Sequence, residues 1–130
     1  MLRLFIVSLL LVSSAHAVTQ DKWLAYIEGK IPGFVGSLCS SRFLMDCHKV
    51  ERAGCIAIGK KVGQQCFLEH KPALPAVLEP GDEKAAKMKL RVCISSGVDR
   101  ALAPKKRKLE KCVNFEAWKK ANDIQRGRID

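Results

Sequence analysis

Six cysteines, at positions 39, 47, 55, 66, 93 and 112, are the residues of this 130-residue chain best suited to chemistry. Free thiolates would act as nucleophiles or metal ligands, whereas paired sulfurs would act as staples. Zinc-type sites favour C-x2-C or C-x2-H clusters. The cysteines here are separated by 7, 7, 10, 26 and 18 residues. That is a poor ligand pattern, so neither a metal nor a cofactor is expected. Nucleophilic attack by Cys47 with His48 as base needs a free thiol, and neighbours on a helix point about 100° apart. The favoured reading puts Cys47 in a bridge and His48 on a surface. Serines 37, 40, 41, 95 and 96 lack a G-x-S-x-G setting. A sugar hydrolase needs two carboxyls about 5–9.5 Å apart. Glu51, Glu69, Glu79, Asp82 and Glu83 are the acids on offer, and solvated helix ends explain most of them. No catalytic residue emerges, and the chain is read as non-enzymatic.

Charge is the second feature with chemical consequences. Residues 18–83 carry eight Lys/Arg against eight Asp/Glu, whereas residues 84–130 carry fourteen against five. Lys105, Lys106, Arg107 and Lys108 form one continuous run, with Lys111 close behind. Such a run would attract phosphates, acidic polysaccharide, lipid head groups or an acidic protein face. The plainer reading is a solvated face that serves solubility. Nucleic acid is the natural partner of a basic run, but an exported protein rarely meets it. Phe115 and Trp118 are more simply core residues than stacking platforms.

Export is read from the first seventeen residues. Arg3 gives a positive start, Leu4 to Val12 form a short apolar core, and Ala15-His16-Ala17 fits the small-x-small cleavage pattern. The apolar stretch is too short to span a bilayer comfortably, and no second one follows. The expectation is a signal peptide over 1–17 and a single mature domain over 18–130, periplasmic or secreted, without a transmembrane segment. An even cysteine count in a short exported chain reads as a disulfide framework.

The elements that hold these residues read as helices. A first short helix carries Trp23, Leu24 and Ile27 and is broken by Gly29, Pro32, Gly33 and Gly36. A second covers about Leu38 to His48, with Phe43 and Leu44 inward. A third runs from about Glu51 to His70, where Cys55, Ile58, Val62 and Cys66 share one face. Pro72, Pro75, Pro80 and Gly81 mark a loop, and Asp82 and Glu83 favour the start of a fourth helix. That helix turns Leu90, Cys93 or Ile94, Val98 and Leu102 inward and stops before Pro104. Asn114 caps a last short helix, and residues 123–130 read as a frayed tail. Strand alternation is nearly absent. The fold class is therefore all-α, a small bundle of four to five short helices stapled by three disulfides.

Fifteen complete pairings are open to six cysteines. Residues eight apart on one helix lie about 12 Å apart, beyond the reach of a disulfide. Cys47 and Cys55 can pair only if the chain turns between them. Such a turn would make Cys47–Cys55 an inner rung, Cys39–Cys66 an outer rung, and Cys93–Cys112 a staple for the C-terminal segment. A continuous helix would force longer-range pairing instead.

The nested arrangement resembles, as a pattern, the twin-cysteine helical hairpins of CHCH proteins, which space both cysteine pairs equally. Phe43-Leu44-x-x-Cys47, Cys55, Cys66, the proline-rich loop, Cys93 and Cys112 resemble more closely small uncharacterised six-cysteine periplasmic proteins of proteobacteria. That resemblance spans residues 39–112. Glu51 stands where those proteins often carry a serine cap. The resemblance implies a helical fold and an exported location, and no catalytic residue.

The functional expectation is an exported binding protein of the bacterial cell envelope. Its partner would be an unidentified protein or an anionic envelope component, met by the basic C-terminal half. A secreted effector or envelope-enzyme inhibitor is the second reading. A small hydrolase is the third, and it would need a concave pocket with converging polar groups.

Overall fold

The computed structural model describes residues 16–125, with side chains to 123. The leader core and most of the expected tail lie outside these residues. The element order is β1 (Val18–Thr19), α1 (Gln20–Leu38), α2 (Arg42–Cys47), α3 (Arg52–His70), β2 (Val77–Leu78), α4 (Pro80–Leu102) and α5 (Phe115–Gln125). Single 3-10 turns at Lys71–Ala73, Ala103–Lys105 and Glu110–Cys112 link them. The all-α, disulfide-stapled expectation holds.

α1 differs from the sequence expectation. It runs unbroken for 19 residues through Pro32. Its buried positions, Trp23, Leu24, Ile27, Ile31 and Val35, form one stripe at helical spacing. Each contributes roughly 1.5–3 kcal/mol on burial. Three glycines at about 1 kcal/mol each and one proline at about 3 weigh against the helix. The stripe wins. Gly29, Pro32 and Gly33 all lie on the exposed side.

α3 packs most extensively on α4 and next on α1. Close approach is set by glycines. A Cβ at Gly59 would collide with Val35 on α1, and one at Gly63 would sit 2.6 Å from Ile31 Cγ2. On α4, a Cβ at Gly97 would sit 2.5 Å from Val62 Cγ1 of α3. The expected inward residues of α4 are confirmed, with Leu90, Ile94, Val98 and Leu102 buried. Leu78, fully buried in β2, joins this core from within the proline-rich loop. β1 and β2 form a two-residue antiparallel ladder, Val18 opposite Leu78 and Thr19 opposite Val77.

Helix starts follow their caps. Ser41 Oγ accepts from Leu44 N at 3.4 Å to open α2. Asp82 Oδ2 accepts from Glu79 N at 3.0 Å to open α4, with Pro80 in its first turn. Asn114 Oδ1 accepts from Ala117 N at 2.8 Å, as expected of the α5 cap. Glu51 gives α3 no side-chain cap.

All six cysteines are bridged, in a different order from the one expected. The pairs are Cys39–Cys55, Cys47–Cys112 and Cys66–Cys93. The expected Cys47–Cys55, Cys39–Cys66 and Cys93–Cys112 are absent. The reason is which helices form the hairpin. α2 is only six residues long and offers no partner helix for α3. α3 instead pairs with α4 around the proline-rich loop, so Cys66 meets Cys93. Cys55, in the first turn of α3, then faces the end of α1 and takes Cys39. Cys47 is left to hold the C-terminal segment through Cys112.

Candidate functional site

The basic run leaves α4 where Leu102, fully buried, anchors the end of the helix. Pro104 sits in the 3-10 turn that follows. From there the chain is extended and laid against residues 47–49. Lys49 N donates to Lys105 O at 2.8 Å, and Arg107 N donates to Cys47 O at 2.8 Å. His48 and Lys106 pair as an antiparallel bridge. The Cys47–Cys112 disulfide closes the far end of the segment. Four cations are therefore carried on a backbone fixed at both ends, not on a solvated tail.

Lys105, Lys106, Arg107 and Lys108 are all exposed, and none has an acidic partner among the described residues. Lys111 behaves differently. It is half-buried, with Nζ 3.6 Å from Asp46 Oδ2. Lys106 Nζ reaches Val113 O at 3.5 Å. Leu109 and Val113, 48% and 65% exposed, line one open recess together with Lys106, Arg107 and Lys108. Sequence reasoning found the cations but missed these apolar neighbours, which carry no periodic signal.

A second device holds the segment from the C-terminal side. Trp118 Nε1 donates to Asp46 Oδ2 at 2.9 Å. Phe43, Phe115 and Trp118 form a ring cluster with centroids 5.8–5.9 Å apart. The expectation that Phe115 and Trp118 belong to the core is corrected. Phe115 is 51% exposed, and the cluster packs α5 onto α2 outside the main core. The Trp118 hydrogen bond holds the Asp46 carboxyl below its ordinary value of 3.8, helped by Lys111 and Arg42.

Cys47 is bridged, as expected, but His48 is buried and not on a surface. Its Nδ1 lies 2.9 Å from Leu44 O, a satisfied position that leaves no base beside a nucleophile. Of the expected carboxylates, Glu79, Asp82 and Glu83 gather at the start of α4, where Glu79 and Asp82 form its capping box. One concavity of about 170 Å3 is lined by Trp23, Leu24, Phe67 and Leu90, with His70 and Asp82 also on its wall. No serine lines it.

Three closed bridges are what an oxidising compartment supports. No helix among the described residues is long and apolar enough to cross a membrane. No family model, curated protein or solved structure matches this chain.

Proposed function

We propose that this protein is an exported, non-enzymatic binding protein of the bacterial cell envelope that recognises an anionic partner through Lys105, Lys106, Arg107 and Lys108. One observation carries the reading. These cations sit on a backbone pinned to residues 47–49, and Lys106, Arg107 and Lys108 share an open recess with Leu109 and Val113. A solvated charge run has no need of such fixing. A pinned backbone leaves only side-chain freedom to be lost on binding. The apolar neighbours favour an anion with a hydrocarbon part, such as a lipid head group in its bilayer. The exposed His16 and Ala17, just before the first ladder residue Val18, support processing at that point.

The test is binding of the oxidised mature protein to anionic vesicles, neutral vesicles and acidic polysaccharide at low and high salt. Binding to an anionic surface that salt releases is expected, since exposed charges are screened within about 10 Å at 0.1 M. Reversal of Lys105, Lys106, Arg107 and Lys108 to glutamate should abolish it. Undiminished binding after reversal would overturn the proposal. A stoichiometric protein partner that survives high salt would favour the inhibitor reading instead.

A further inference from the structure

Cys66 and His70 stand four residues apart on one face of α3, with Glu69 beside them and Cys93 facing them from α4. A ring nitrogen of His70, a carboxylate oxygen of Glu69 and Cys93 Sγ all lie within 4.8 Å of one another. Cys66 Sγ is bonded to Cys93 Sγ. A disulfide sulfur is a poor metal ligand, so the closed bridge leaves only two donors. Two thiolates would complete a set of four, two sulfurs with one nitrogen and one oxygen, suited to tetrahedral zinc. We propose that opening the Cys66–Cys93 disulfide creates a zinc-class metal site from Cys66, Cys93, His70 and Glu69, so that this corner holds either a bridge or a divalent ion.

Three observations carry this beyond proximity. His70 Nδ1 lies 2.9 Å from Cys66 O. A carbonyl can only accept, so Nδ1 donates to it, and in the neutral ring Nε2 holds the lone pair, the arrangement that orients ligating histidines. Cys93 is half-buried and opens onto a shallow recess with Met88 and Lys89. The sulfurs of the other two bridges belong to residues no more than 1% exposed, so this bridge is the one a reductant reaches. The Cα atoms of Cys66 and Cys93 are 5.9 Å apart, close to the 5.8 Å of Cys39 and Cys55, and two sulfurs on tetrahedral zinc sit about 3.8 Å apart. Side-chain rotation alone accommodates that separation. Two thiolates and a carboxylate exceed the charge of a divalent ion by one, and Lys89, which lines the same recess, supplies a nearby positive charge. The reduction balances with a dithiol as reductant. The Cys66–Cys93 bond breaks, two electrons and two protons pass to the sulfurs, and the dithiol closes to its own disulfide. Metal binding then releases both thiol protons to solvent. The cysteine intervals hid this site because its ligands come from two helices.

The test treats the full protein with a limited amount of dithiol until two thiols appear, maps them by alkylation and mass spectrometry, and adds Co2+ as a spectroscopic probe before competing with Zn2+. The expected result is thiols at Cys66 and Cys93, unchanged helical circular dichroism, and a thiolate-to-cobalt charge-transfer band at one ion per chain. The oxidised protein should show none. His70→Ala should weaken binding about tenfold or more, and Glu69→Gln, at an exposed position, should weaken it severalfold. Failure of the two-thiol protein to bind, binding indifferent to both substitutions, or first opening of another bridge would each overturn the proposal.

Discussion

Asp46 is where charge, aromatic packing and the basic segment meet. Its Oδ2 accepts from Trp118 Nε1 at 2.9 Å and pairs with Lys111 at 3.6 Å. The Trp118 bond does most to hold its carboxyl below 3.8, burial opposes it, and Lys111 and Arg42 add to the lowering. A group whose folded value is lowered stabilises the fold fully above its unfolded value and loses that contribution as pH falls through the folded one. The α5 cover is therefore expected to loosen only below about pH 3.8. Tryptophan fluorescence should red-shift in that range as Trp118 is released. Asp46→Asn keeps an acceptor but carries no charge, so its fluorescence should stay flat over the same range. An identical acid transition in both proteins would show that Asp46 does not control the cover. At this scale the sequence was only partly readable. The cations and the Asn114 cap are local signals, and both were visible. The Asp46–Trp118 contact spans 72 residues of chain, and no spacing rule reaches that far. His48 was misplaced for a similar reason, since the Lys106 strand that covers it comes from a distant part of the chain.

At the scale of elements, α3 and α4 were legible because their apolar stripes repeat at helical spacing. α1 was not, because Gly and Pro are read locally whereas burial is decided by neighbours. The same neighbours explain the buried glycines of α3, which are contact points. Val35 is fully buried and cannot yield, so Gly59→Ala should destabilise by about 1–3 kcal/mol through overpacking. Gly29 has nothing within 4 Å of its would-be Cβ. Gly29→Ala should therefore stabilise by about 0.5–1 kcal/mol, the usual gain of alanine over glycine in a helix. Denaturant midpoints of the two variants decide the matter. Equal effects of the same sign would mean that glycine propensity, not the α1–α3 approach, governs both positions.

For the whole molecule, the bridges divide the labour. Cys39–Cys55 and Cys66–Cys93 tie the helices α1, α3 and α4 to one another, whereas Cys47–Cys112 fixes the basic segment and α5 onto α2. The cysteine hairpin expected from a turn between Cys47 and Cys55 does not form, because the helices that pair are α3 and α4 around the proline-rich loop. Only the packing of the helices reveals that. Cys47–Cys112 closes the longest interval, 65 residues, and the loop-entropy relation gives it roughly 4 kcal/mol, against roughly 3 for the 16-residue interval of Cys39–Cys55. Its functional consequence can be separated from its stability. A Cys47→Ala, Cys112→Ala double variant leaves every charge in place and removes only the covalent anchor. The remaining bridges still hold α1, α3 and α4, so most of the helical circular dichroism should persist at low temperature. If the fixed geometry of Lys105–Lys108 contributes to recognition, the variant should bind anionic vesicles severalfold more weakly at the same salt concentration. Binding equal to that of the parent protein, with the helices intact, would mean that net charge alone attracts the partner and that the pinned backbone serves the fold and not the site.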